Sequence, residues 1–303
     1  SVIYSLSLCI QLLSRKGDKV VTFTPCYDAF YHCIAGNERK LIPFSLTNDG
    51  ERFTVDFDAL ANVFAIEKPA IFLLCNPHNP TGRVFTDQEL SNLVSLCQMH
   101  NVAILSDEIH MDVRRLGEKH RPILEFIDSI EVPAVLLSSA SKTFNTPGLG
   151  GSYAIFLDEK LRERFLTILK ARDGLSSIPY PALLATMDCY RNQKKWAVEL
   201  NQTIDENFFE TKKILSADPR IHFTIPEATY LGWINIKDLP YSMDELQSVL
   251  VKQERIAIMN GEVYGPEGKT YLRFNLGAPK EKIIAGLEGL MHAIDSLDQK
   301  HLN

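Results

Sequence analysis

The chain has 303 residues, 45% of them hydrophobic and 23% charged, with a formal net charge of −6. That length supports two domains or one large α/β domain, and the acidic balance offers nothing to a nucleic acid or an anionic membrane surface. No apolar run approaches the length of a membrane span, and Ser1-Val2-Ile3-Tyr4-Ser5-Leu6-Ser7-Leu8-Cys9-Ile10 lacks the basic start and cleavage pattern of a secretory signal. The six cysteines are scattered without a CxxC pair, which argues against zinc and against a disulfide framework. Reduced core thiols in a cytoplasmic protein are the expectation.

Periodicity predicts a helix over residues 3–14, closed by Arg15-Lys16-Gly17-Asp18, then a strand over 19–23 ended by Thr24-Pro25. A helix over 27–35, a strand over 39–43 and a turn at Asp49-Gly50 follow. Residues 56–66 read as a helix with Asp56 as N-cap. Residues 70–75 are a near-continuous apolar run, the pattern of a strand covered on both faces. Residues 86–100 form a helix in which Thr86 and Glu89 have capping-box spacing. Strands are expected over 102–106, 132–138 and 152–157. This alternation predicts an α/β fold, a mostly parallel sheet with helices on both faces and ligands beyond the carboxyl ends of its strands.

From Asp158 the character changes. Helices are expected over 159–171, 179–190 and 196–215, then strands over 222–225 and 231–236. A helix over 242–253, strands near 256–259 and 270–275, and a last helix over 280–297 complete the chain. These predict a large domain over 1–200 and a smaller α+β domain over 201–303.

Residues with chemistry follow the predicted strands. Pro25-Cys26-Tyr27 follows the first, Asn76-Pro77-His78-Asn79-Pro80-Thr81-Gly82 follows 70–75, and Asp107-Glu108-Ile109-His110 follows 102–106. Ser138-Ser139-Ala140-Ser141-Lys142 follows 132–137, with Pro147-Gly148 and two further glycines after it. If the sheet is parallel, all four tips share one edge. A lysine at the mouth of an apolar strand loses hydration, which favours its neutral amine, and a neutral amine can form a Schiff base. Adjacent serine hydroxyls can hold a phosphate. The chemistry that fits is pyridoxal phosphate. Asp107 can pair with its pyridine nitrogen, Asn79 can donate to its ring oxygen, Tyr27 can stack on its face, and Arg273 offers a forked donor for a substrate carboxylate. Taken singly, each has a plainer reading: a turn for Asn79-Pro80-Thr81-Gly82, a helix cap for Asp107-Glu108, core packing for Tyr27 and His110, a surface ion pair for Arg273.

These stretches, together with Thr229-Tyr230-Leu231-Gly232-Trp233 and Leu272-Arg273-Phe274-Asn275-Leu276-Gly277, resemble the fold-type I pyridoxal-phosphate enzymes of the class I/II aminotransferase superfamily. Within it the chain is similar to the cystathionine β-lyase (C–S lyase) branch, including the maltose-regulon modulator type. The resemblance implies that Lys142 carries the cofactor as a Schiff base and moves the Cα proton. It implies further that Asp107 meets the pyridine nitrogen, Asn79 and His110 lie at the ring, Tyr27 stacks on it, and Ser139 and Ser141 bind the phosphate. Arg273 would take the substrate α-carboxylate. No metal is implied. Ser1-Val2-Ile3 stands where the family has a glycine-led phosphate turn, which places Val2 and Ile3 at the cofactor. About 80 or more residues precede that turn in the family, so an N-terminal segment that reaches the neighbouring subunit's site is expected to be missing here.

Two positions depart from the aminotransferase pattern: His110 replaces a tyrosine three residues after the aspartate, and Gly150 replaces a basic phosphate ligand. The Asp-Glu-Ile-His form is that of the C–S lyase branch. The implied reaction is α,β-elimination of a sulfur amino acid such as cystathionine, in a cytoplasmic homodimer. An aminotransferase and a regulatory, non-catalytic cofactor-binding protein are the alternatives. A P-loop nucleotide binder is excluded, because Gly-x4-Gly-Lys-Ser/Thr is absent.

Overall fold

The computed structural model describes residues 1–128, 132–175 and 177–302. Helix α1 (Val2–Leu13) leads to β1 (Lys19–Thr24), α2 (Asp28–Gly36) and β2 (Lys40–Ser45). A short hairpin of β3 (Thr47–Asn48) and β4 (Phe53–Thr54) precedes α3 (Phe57–Glu67), whose Asp56 side chain caps Ala59 N–H. Then come β5 (Ile71–Cys75), α4 (Asp87–His100), β6 (Ala103–Asp107), β7 (Ala134–Ser138) and β8 (Tyr153–Phe156). The Thr86–Glu89 capping box of α4 forms in both directions, satisfying two otherwise orphaned N–H groups.

Strands β2-β1-β5-β6-β7-β8 form one six-stranded sheet, parallel except for β8, which pairs antiparallel with β7. Every residue of β5, β6 and β7 is buried. That accounts for their unbroken apolar runs, since each face is covered by helices. One core on this sheet gathers Phe23, Phe64, Phe72 and Leu93; another gathers Leu6, Ile10, Phe30 and Leu137. Burying each such side chain contributes about 1.5–3 kcal/mol. Helices α3 and α4 end in left-handed caps, Lys68 (φ 48°) and Asn101 (φ 53°), at the edge remote from the strand tips.

Helices α5 (Glu159–Ala171), α6 (Tyr180–Asn192) and α7 (Lys194–Leu215) follow. Strand β9 (Leu231–Asn235), α8 (Met243–Val249), β10 (Met259–Asn260), β11 (Tyr271–Asn275) and α9 (Lys280–Leu302) complete the chain. Strands β10-β11-β9 make an antiparallel sheet. A third core, with Phe208, Ile234, Leu272 and Leu287, packs that sheet against α7 and α9.

Three expectations in this half need correcting. Residues 222–225 form no strand: His222 makes a single bridge to Asn235, and Pro226, which has no N–H, ends the run. The strand expected over 256–259 is reduced to Met259–Asn260, because Arg255 stands in a left-handed conformation (φ 57°). Helix α8 passes at Leu250–Glu254 into a π-helical turn rather than continuing as α-helix. Among the described residues, no helix is long and apolar enough to cross a membrane.

Candidate active site

Strands β1, β5, β6 and β7 are adjacent and parallel, so the segments that follow them emerge along one edge. The Thr24–Pro25, Asn76–Pro77 and Asn79–Pro80 bonds at these tips are cis. The tips converge on one cavity of about 340 Å³. Its walls include all ten residues singled out from the sequence: Val2, Ile3, Tyr27, Asn79, Asp107, His110, Ser139, Ser141, Lys142 and Arg273. A larger cavity, about 660 Å³, lies between the β3–β4 hairpin and the C-terminal sheet and holds none of them.

Arg273 arrives from β11, where its partner in the ladder is Trp233. Its guanidinium lies over the Tyr264 ring, 4.6 Å from the centroid, and its Nη1 donates to Asn79 Oδ1 at 3.2 Å. A planar fork held on a ring face and by one amide keeps donors for an incoming carboxylate. Asp107 is 4% exposed, and its Oδ1 accepts from Ile109 N–H at 3.2 Å. Burial pushes its carboxyl up to about 7; the Ile109 N–H opposes the shift, the Glu108 charge adds to it, and Lys142 opposes it. His110 is held down at about 3 by burial and by the positive charges of Lys142 and Arg273, so its ring is neutral near pH 7. Its Nδ1 has no partner among the described residues, and its ring meets Tyr230 edge-on at 5.7 Å.

Ser1 caps α1, and the first turn of that helix, with Val2 and Ile3, forms part of the wall. The free N–H groups of a helix start attract an anion. Ser139 Oγ donates to Gly151 O at 2.6 Å and accepts from Ser141 N–H at 3.1 Å, so donating to a phosphate requires its hydroxyl to turn away from Gly151 O. Gly150, in place of a basic residue, stands at φ 72° with open space where a side chain would be. The arrangement fits pyridoxal phosphate. A helix start and two serines meet beside Gly150 and Gly151, and a buried carboxyl, Tyr27 and Lys142 stand in the walls of the same cavity. The unpartnered His110 nitrogen and Asn79 Nδ2, which donates to no described residue, supply further ring contacts.

Sequence reasoning did not assign Tyr230, Asn275 or Cys75 to the walls, yet all three line the cavity. Tyr230 and Asn275 stood inside the quoted motifs, which was the available signal. Thr229 holds Tyr230 there in a left-handed conformation (φ 67°) unusual for a β-branched residue. That conformation is fixed by Thr229 N–H donating to Val113 O at 2.8 Å and Arg115 Nη2 donating to Thr229 O at 2.7 Å. A second cavity, about 520 Å³, adjoins the first and shares Ser141, Lys142, Pro147, Tyr230 and Asn275 with it.

The family model for class I and II aminotransferases matches residues 2–290. The chain belongs to that family. It is 39% identical over 295 residues to the protein MalY of Escherichia coli K12, a match covering 97% of this chain and 75% of MalY. To cystathionine beta-lyase PatB of Bacillus subtilis 168 it is 33% identical over 294 residues, covering 97% and 76%. Among solved structures, cystalysin from Treponema denticola, which contains pyridoxal 5'-phosphate, superposes with a TM-score of 0.90 at 30% identity over 98% of this chain and 75% of that one. The pyridoxal-phosphate-bound C–S lyase from Staphylococcus hominis gives 0.90 at 28% identity over 97% and 75%.

Proposed function

We propose that this protein is a pyridoxal-phosphate-dependent C–S lyase that converts a sulfur amino acid and water to a thiol, pyruvate and ammonia. The observation that carries the reading is the meeting of Lys142, Asp107, Asn79 and Arg273 in one cavity. The similarity to cystathionine beta-lyase PatB and to the C–S lyase from Staphylococcus hominis supports reading that cavity as one that acts on a carbon–sulfur bond. Val2, Ile3, Ser139 and Ser141 would hold the phosphate, Tyr27 the ring face, and Asn79 and His110 the ring edge. When bound, the cofactor supplies an electron sink for negative charge developing at the substrate Cα. Arg273 binds the α-carboxylate and thereby orients the Cα–H bond. Lys142 Nζ removes the Cα proton as general base. Asp107, buried in the cavity wall, would pair with the ring nitrogen and help keep it protonated. The thiolate departs from Cβ and takes up a proton, and the remaining aminoacrylate hydrolyses to pyruvate and ammonia.

The large domain over 1–200 and the small domain over 201–303 belong to this proposal, as do the homodimer and the cytoplasmic location. Exposed Tyr180, Leu183, Leu184 and Met187 on α6 offer apolar surface for a second copy.

The test is incubation of the cofactor-loaded protein with L-cystathionine and no keto acid, following pyruvate and free thiol together. Equal amounts of both are expected. No pyruvate, with amino transfer appearing once a keto acid is added, would replace the lyase reading with an aminotransferase.

A further inference from the structure

Arg273 is partly buried, yet no acid holds it. Among the described residues its one polar partner is Asn79, and no carboxylate pairs with it. Against its guanidinium lies the Tyr264 ring, with 4.6 Å from Cζ to the ring centroid. Tyr264 is itself firmly placed. It ends a short 3-10 turn, Gly261–Tyr264, and is 1% exposed. Cys26 N–H and Tyr31 Oη donate to its carbonyl at 2.8 and 2.9 Å, which ties it to the segment after β1 that carries Tyr27. Trp233 meets the Tyr264 ring edge-on at 5.6 Å, and Tyr271 stacks on Trp233 at 4.8 Å. Arg273 and Trp233 are directly opposed in the β9–β11 ladder, and Tyr271 is two residues from Arg273, so all three share one face of the sheet. Gly261 lets this aromatic column close, because a Cβ there would lie 2.8 Å from Trp233 Cη2.

Holding an arginine by a ring face has a chemical consequence. A carboxylate partner would neutralise the guanidinium and occupy its in-plane N–H donors. An aromatic face attracts the cation through its quadrupole, from outside that plane, and takes none of them. Burial pushes the Tyr264 hydroxyl up to about 12, against the pull of Arg273, so the ring is neutral at ordinary pH. The guanidinium is thus held while its charge, and every donor but the one given to Asn79, stays available.

We propose that Tyr264 is a positioning residue for the substrate: its ring face, backed by Trp233 and Tyr271, holds the Arg273 guanidinium ready for the α-carboxylate and so sets the affinity for that group. This rests on the reading of Arg273 as the carboxylate site. Core packing alone would make Tyr264 replaceable by any ring of its shape. Contact with a cation makes the electrons of the ring matter as well.

The experiment titrates the full chain, loaded with pyridoxal phosphate, with L-alanine, an amino acid that has no leaving group, and follows absorbance. Ethylamine, the same amine without the carboxylate, is titrated in parallel, and circular dichroism checks the fold. Tyr264→Phe keeps the ring face and should hold the L-alanine dissociation constant within about twofold. Tyr264→Leu removes the face and should raise that constant about 3- to 30-fold. If Tyr264→Leu does not fold, a series of phenylalanine, monofluorophenylalanine and trifluorophenylalanine at position 264 carries the test. Fluorine nearly keeps the shape and drains the negative face of the ring, so the L-alanine constant should climb along the series. Ethylamine binding should stay level throughout. In turnover of L-cystathionine the same series should raise KM and leave kcat nearly unchanged. A flat fluorine series in folded protein, or ethylamine weakened as much as L-alanine, overturns the inference. Arg273→Ala separates the two levels. If it weakens L-alanine while the fluorine series is flat, only the role of Tyr264 falls; if it leaves L-alanine unchanged, the assignment of Arg273 falls and this inference with it.

Discussion

Arg273 Nη1 and Asn79 Oδ1, 194 positions apart in the chain, lie 3.2 Å apart and join the C-terminal sheet to the turn after β5. The hydrogen bond links the residue assigned to the substrate with one assigned to the cofactor. A substrate carboxylate that engages the Arg273 fork competes with Asn79 for it.

Arg273→Ala removes a charge-assisted forked contact, for which about 1.5–3 kcal/mol is usual, so kcat/KM should fall about 10- to 100-fold. The loss should appear mainly in KM, with cofactor affinity changed far less. Arg273→Lys restores charge without the fork and should recover only part of it. Steady-state kinetics with L-cystathionine would decide; an unchanged KM in Arg273→Ala would remove the residue from the substrate site.

Lys142→Ala should abolish pyruvate formation while leaving the fold intact, because Lys142 lies at the cavity wall and not in a core. Circular dichroism and a pyruvate assay together test this. Turnover retained within about tenfold of the wild type would contradict the assignment of Lys142 as the base.

The raised Asp107 carboxyl makes stability of the cofactor-free protein depend on pH. Its folded value of about 7 lies above the ordinary aspartate value, so the folded chain binds the extra proton in the window between them. Stability from this group is therefore present at low pH and lost as pH rises toward 7. Asp107→Asn cannot ionise, so its stability relative to the wild type should rise between pH 5 and 8, by an amount on the order of a few kcal/mol. Denaturant melts at the two pH values measure the difference, and a constant gap would refute the burial effect.

Gly82 has φ 70°, and a Cβ there would sit 2.7 Å from Pro226 Cβ and 2.8 Å from Ala228 O. Gly82→Ala should destabilise the protein by about 2 kcal/mol or more, since both the backbone region and the space are closed to it. Cofactor affinity should fall with it, because the same turn carries Asn79. Urea unfolding and absorbance titration would show both effects; a neutral substitution would mean that the turn relaxes freely.

The large sheet was legible because its signals are local. Runs such as Phe72-Leu73-Leu74 identify covered strands, and Asn, Pro and Gly after them mark the tips where chemistry collects. The site followed from those tips. Tyr230 and Asn275 were not assigned because they reach the cavity through the docking of β9 and β11, a tertiary relationship with no local pattern. The direction of β8 was equally hidden: its residues alternate no differently from those of a parallel edge strand, and only the pairing of Val135 with Phe156 reveals it. Glu108 illustrates a third limit. It stood in the quoted Asp-Glu-Ile-His stretch, but its burial against His120 depends on where residues 114–122 fold back.

The left-handed caps at Lys68 and Asn101 bear on protein engineering. They turn the chain at the sheet edge opposite the cavity, and Asn101, with its neighbours His100 and Gln98 only partly covered, faces outward. Additional sequence inserted after Lys68 or Asn101 would leave the registers of β5 and β6 and the tips beyond them where they are. Those two turns are the places to attach a reporter domain or a surface tether while keeping the catalytic edge of the sheet free.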